Sequence, residues 1–125
     1  MKVLVCGDHN WKSGTMILNR LKQLPKDTII IHGGCRGADT IAGECAKTLG
    51  FSTWVFETKW EQFGKAARPI RNQAMLDAGP DLVIAFHDDL EKSEGTADMV
   101  KRAGKRGTLV EVIGHGQLLL AVPIS

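Results

Sequence analysis

Three glycines within five residues, at the end of an apolar run, form the chain's most chemically specific segment, Ile29-Ile30-Ile31-His32-Gly33-Gly34-Cys35-Arg36-Gly37-Ala38-Asp39. A helix-patterned stretch follows at once. Strand, bare turn and helix start bring backbone N–H groups and a positive helix end to one point, which suits an anion, above all a phosphate. Gly33 and Gly34 permit close backbone approach, Gly37 opens the helix and Arg36 adds positive charge. Asp39 either favours the helix start or meets a ribose hydroxyl. The spacing is neither that of a P-loop nor Gly-x-Gly-x-x-Gly, so neither an ATPase nor a standard NAD enzyme fits. Glu94-Gly95-Thr96-Ala97-Asp98 offers a second helix start, where the Thr96 hydroxyl can meet a phosphate oxygen.

Arg68, Arg71 and Asn72 open a further helix. The helix dipole opposes an arginine in a first turn, so Arg71 calls for a bound anion or a carboxylate partner. Trp60 and Phe63 lie near these charges, either stacking on a base or covering the core, and Trp11 carries the same two readings. His87-Asp88-Asp89 and His32-x-x-Cys35 complete no ligand set at zinc-type spacing, so no metal and no resident cofactor is expected. Cys35 reads as a small turn residue. Lys101, Arg102, Lys105 and Arg106 read as a solvated helix end, with a partner surface as the secondary reading.

These residues need a frame. Short apolar runs at Val3–Cys6, Thr28–Ile31, Ser52–Phe56, Leu82–Phe86 and Leu109–Ile113 read as strands. Between them lie helical patterns through Ile17, Leu18, Leu21 and Leu24, then Ala38–Leu49, Ile70–Ala78 and Thr96–Ala103. Pro25, Gly50, Gly79-Pro80 and Gly104 punctuate their ends. Glu57–Pro69 is the longest irregular stretch, and the apolar tail Gly114–Ser125 is a candidate edge strand. The alternation predicts an α/β, Rossmann-like, three-layer, doubly wound sheet, mostly parallel, of about five strands with helices on both faces. Residues 1–125 read as a single domain. In such a fold the loops after the strands, including the one that begins at Gly7, meet over one crevice.

A formal charge of +2, from 16 basic and 14 acidic residues, predicts no bulk nucleic-acid binding. Three cysteines without paired spacing read as reduced thiols of a cytoplasmic protein. No apolar run reaches membrane-spanning length. Leu118-Leu119-Leu120-Ala121-Val122 reads as core or as a homodimer surface.

Val3-Leu4-Val5-Cys6-Gly7, His32 to Asp39, Pro69-Ile70-Arg71-Asn72-Gln73-Ala74-Met75 and Gly95-Thr96-Ala97-Asp98-Met99-Val100 together resemble the YspA-type, cpYpsA-related branch of the SLOG superfamily. That superfamily joins Smf/DprA-like and LOG-like Rossmannoid proteins. The resemblance implies a nucleotide or ADP-ribose-like ligand held by Gly7, Gly33, Gly34, Arg36, Gly37, Asp39, Arg71, Asn72, Gly95 and Thr96. It further implies a sensor or sequestering protein in phage or bacterial nucleotide signalling. LOG enzymes, a more distant likeness, cleave nucleoside monophosphates into base and ribose 5-phosphate. Arg71 looks like their arginine, but Met99 stands where their glutamate would be, which leaves Asp98 or Glu94 as the candidate acid. A LOG-type phosphoribohydrolase is therefore the alternative, and a DNA-processing accessory protein, by likeness to the Smf/DprA side, is a second.

Overall fold

The computed structural model describes residues 1–115 and the backbone of 117–122. The strands are β1 (Lys2–Gly7), β2 (Ile29–His32), β3 (Ser52–Val55), β4 (Leu82–Phe86), β5 (Leu109–Gly114) and β6 (Gln117–Val122). The helices are α1 (Gly14–Leu21), α2 (Ala38–Leu49), the single turn α3 (Trp60–Phe63), α4 (Ala67–Asp77) and α5 (Glu94–Arg106). They build one sheet of order β3-β2-β1-β4-β5-β6. Its first five strands run parallel, and β6 pairs antiparallel with β5. The expected doubly wound architecture is therefore present, with the tail supplying a sixth strand. Burial of Leu118–Val122 side chains lies outside the described residues.

β1 and β4 lie at the centre and are apolar on both faces, as parallel strands covered by helices must be. Side chains alternate across the sheet. Val3 and Val5 pack with Ile30, Ile84 and Phe86 against Ile17 and Leu21 of α1 and Ala38, Ala42 and Ala46 of α2. Leu4 and Cys6 pack with Ile31, Val83 and Ala85 against Met75 and Leu76 of α4 and Met99 and Ala103 of α5. Burying each large apolar side chain contributes about 1.5–3 kcal/mol, so the two cores hold all four long helices firmly to the sheet.

Helix limits follow the local chemistry. Ser13 caps α1 by accepting the Met16 N–H, and Gly50 closes α2 in the left-handed conformation, as its position predicts. Two helices are longer than their periodicity. The stretch 57–69 is less irregular than expected: it holds α3 and a 3-10 turn at Gly64–Ala66 before α4 starts at Ala67. Pro69 then sits third in α4, where an N–H has no intrahelical acceptor to lose. The last helix begins at Glu94 because Ser93 caps it, and it runs through Gly104 to end at left-handed Gly107. No described helix is long and apolar enough to cross a membrane.

Candidate functional site

The chain order reverses between β1 and β4, and ligands of open α/β sheets lie beyond the strand ends at such a point. A crevice of about 350 Å³ opens there. Gly7 ends β1 and Asp8, His9 and Asn10 follow it; Cys35 and Arg36 belong to the turn after β2 and Asp39 to the first turn of α2; Arg68, Arg71 and Asn72 come from α4. His87 and the segment Lys92 to Thr96 close the far side. Two larger hollows are shallower: a groove along α4 and α5, and a surface depression that adjoins the crevice and shares His9, Asn10 and Arg36 with it.

The glycine turn has a different use from the one its sequence predicts. Gly33, Gly34 and Gly37 do not line the crevice. The Gly33 N–H donates to Asp39 Oδ2 at 2.9 Å, and the Gly34 N–H donates to His32 Nδ1 at 3.1 Å. At the start of α2, the N–H groups of Ala38 and Thr40 donate to the carbonyls of Asp8 and Cys35, each at 3.1 Å. The turn thus supplies its own anion, the Asp39 carboxylate. Bare glycine is needed for packing: a Cβ on Gly33 would lie 2.2 Å from Arg71 Nη1, and one on Gly37 2.3 Å from the Asp8 carbonyl oxygen.

Arg71 is buried rather than solvated. Nη1 donates to the Gly33 carbonyl at 3.2 Å, to Thr58 Oγ1 at 3.1 Å and to Cys35 Sγ at 3.3 Å, while Nε donates to Asn72 Oδ1 at 3.1 Å. Its guanidinium and the Asp39 carboxylate both lie against Gly33 without forming an ion pair, so the carboxylate lends the arginine a favourable field and no direct salt bridge. Burial raises the Asp39 pKa from 3.8 to about 6, against the lowering pull of the Gly33 N–H and Arg71. Folded Asp39 therefore holds its proton through a window, between about pH 4 and 6, in which the unfolded chain has released it. Its contribution to stability falls as pH rises through that window, by about 3 kcal/mol at most. Urea unfolding of Asp39→Asn is expected to lack this slope between pH 4.5 and 7; an unchanged slope would assign it to another group.

The second helix start is open. Ser93 Oγ accepts the Thr96 N–H at 3.2 Å and the Ser93 carbonyl accepts that of Ala97 at 3.1 Å, which leaves the N–H groups of Glu94 and Gly95 without acceptors among the described residues. Nothing lies within 4 Å of the place a Gly95 Cβ would take. Thr96 is only 5 % exposed, yet its hydroxyl makes no hydrogen bond among the described residues. No buried side-chain oxygen there lacks a partner, so this hydroxyl faces the crevice that Thr96 lines. Ser93→Ala is expected to cost about 1 kcal/mol in urea unfolding; no loss would mean that the cap is dispensable.

Asn72 ties the two sides together, donating from Nδ2 to the Gly95 carbonyl at 3.3 Å and to Asp98 Oδ2 at 3.0 Å. Asp98 itself lies outside the crevice. It also accepts from Arg102 Nε at 2.8 Å and lines a groove on the outer face of α4 and α5 with Lys101 and Lys105. Of the two candidate acids only Glu94 borders the crevice, and Met99 faces it at the position that LOG-type proteins give to glutamate. The cationic cluster at the end of α5 is partly neutralised, with Arg102 on Asp98 and Arg106 on Asp77.

Positive charge gathers on the near side. The His9 pKa is lowered first by burial and then by Arg68, Arg36 and Arg71. Arg36 and Arg68 form no ion pair among the described residues. Arg68 lies 5.2 Å over the Trp60 ring, so Trp60, half exposed and outside the crevice, positions a cation there. Trp11 is unavailable to a base: it is buried, stacks on His115 at 4.2 Å and meets Phe86 at 5.6 Å. Sequence reasoning gave Arg68 no ligand role and weighed His87 only as a metal ligand. Their signal is positional, since one opens a helix and the other ends the central strand at the sheet edge where the loops converge.

A mostly parallel, doubly wound sheet with a charged crevice at its switch point defines a Rossmann-like α/β domain. Residues 1–63 match the sequence pattern of YAcAr, the YspA, cpYpsA-related SLOG family. The chain is also 35% identical over 124 residues to the Gene 61 protein of Mycobacterium phage D29, covering 92% of this chain and 96% of that protein. The chain belongs to the YspA, cpYpsA-related SLOG family. No solved structure matches it.

Proposed function

We propose that the crevice binds a nucleotide or nucleotide-derived molecule, with a phosphate held at the start of α5. The observation that carries this is the open helix start: N–H groups at Glu94 and Gly95 with no acceptor among the described residues, beside the Thr96 hydroxyl. Such an end attracts anions through oriented N–H groups and the helix dipole. Arg36 and Arg68 supply the opposing charge, while the loop after β1 is left to meet the sugar or base. Membership of a SLOG family supports a nucleotide-related ligand.

Binding without turnover is the reading we favour, because Asp98 is held by Asn72 and Arg102 and turned to the other groove. Cleavage of an N-glycosidic bond builds positive charge on the sugar and needs a well-placed carboxylate. A protein that binds and does not cleave would serve as a sensor or a sequestering protein. The test is a calorimetric titration with nucleoside monophosphates, ADP-ribose and cyclic dinucleotides, with released base assayed in the same samples. Binding with intact ligand is expected. Steady release of base that disappears in Glu94→Gln would move the reading to hydrolysis through Glu94.

A further inference from the structure

We infer that His87 is a ligand-contacting residue that donates its Nε2–H to an oxygen of the phosphorylated ligand. His87 is the first residue after β4, and its predecessor Phe86 pairs with Gly7 at the end of β1, so it stands at the switch point itself. Its backbone is fixed by donation from its N–H to the Ile113 carbonyl at 3.0 Å. The residue is only 6 % exposed. Nδ1 accepts the Asp89 N–H at 2.9 Å, which places the proton of the neutral ring on Nε2.

That Nε2–H has no acceptor among the described residues. Because no buried side-chain nitrogen there lacks a partner, Nε2 is the part of the ring that opens to the crevice His87 lines. His32 provides the internal comparison. Its Nδ1 is fixed in the same way by the Gly34 N–H, but its Nε2 lies against Gly43, 2.8 Å from where a Cβ would stand, and it does not line the crevice. The same device thus directs a ring toward the crevice in one case and away from it in the other. A donor held in a desolvated setting loses its hydrogen bond at a cost when the ligand lacks the matching oxygen, which makes it a source of selectivity. Glu94, Gly95 and Thr96 border the same crevice, so the acceptor is an oxygen of the phosphate or of the sugar next to it.

The inference rests on the proposed binding function, and the experiment separates the two. Inorganic phosphate, ribose 5-phosphate and adenosine 5′-monophosphate are titrated into the protein while the histidine ring nitrogens are followed by long-range proton–nitrogen NMR. His87 is expected to carry its proton on Nε2 in the free protein, and that nitrogen is expected to shift on titration. His87→Phe is expected to weaken binding at least tenfold, and His87→Gln, whose amide nitrogen can stand in for Nε2, to recover most of it. Loss with all three probes assigns the contact to phosphate; loss with only the two sugar phosphates assigns it to the sugar. Wild-type binding matched within twofold by His87→Phe, or a ring protonated on Nδ1, overturns the role of His87 alone. Failure of the wild-type protein to bind these probes and also ADP-ribose and cyclic dinucleotides overturns the binding function with it.

Discussion

Replacing Arg71 with methionine is expected to lower the thermal midpoint by about 10 °C at pH 8 and by distinctly less at pH 5. Arg71 is buried, and its guanidinium links α4 to the turn after β2 through the Gly33 carbonyl, Cys35 and Thr58. Methionine keeps much of the stem's packing but removes the charge facing Asp39. Leaving the Gly33 carbonyl and the Thr58 hydroxyl without their donor, and the buried Asp39 carboxylate without a nearby positive charge, costs about 2–3 kcal/mol, roughly 10 °C for a domain of this size. The pH dependence identifies the cause. Arg71 lowers an Asp39 pKa that burial has already raised to about 6, so its removal raises that pKa further. At pH 8 the variant must bury a bare carboxylate or pay to protonate it; at pH 5 Asp39 is largely protonated in either protein. The double variant with Asp39→Asn is expected to lose less than the two single changes summed. Equal losses at both pH values would mean that Arg71 acts through packing alone.

Gly95→Asp is expected to abolish binding, at least a hundredfold, while leaving the fold as stable or more so. A side chain at Gly95 meets nothing within 4 Å. Aspartate in a first helical turn is favoured by the dipole by about 0.3–1 kcal/mol, and replacing a helical glycine removes an entropic cost of about 0.5–1 kcal/mol. The introduced carboxylate would occupy the space assigned to the phosphate and repel it. Few substitutions combine gained stability with lost binding, so urea unfolding and calorimetry on one sample give a clear answer. Retained binding would place the anion elsewhere in the crevice.

The frame of this molecule is legible in its chain because each signal is local. The β-branched and apolar runs at Val3–Cys6 and Leu82–Phe86 mark the central strands, and Gly37 and Gly50 bracket α2 at the residues expected. Helix starts that rest on one hydroxyl, as α5 rests on Ser93, are harder to read, because serine is equally at home in a loop. The site was half legible. Arg71, Asn72, Gly95 and Thr96 do meet at the crevice. What could not be read is that the Gly33 and Gly34 N–H groups are already taken, while the start of α5 borders the crevice with two N–H groups open among the described residues. That depends on Asp39 turning back to Gly33, and on Asn72 reaching Asp98 26 residues away. A sequence shows both helix starts as equal, and only the side-chain directions tell them apart.

The most direct test of phosphate binding at α5 is amide chemical-shift mapping with adenosine 5′-monophosphate. The account predicts the largest shifts at the N–H groups of Glu94 and Gly95, with Gly33 and Gly34 little changed because Asp39 and His32 already hold them. Largest shifts at Gly33 and Gly34, or none at Glu94 and Gly95, would contradict it.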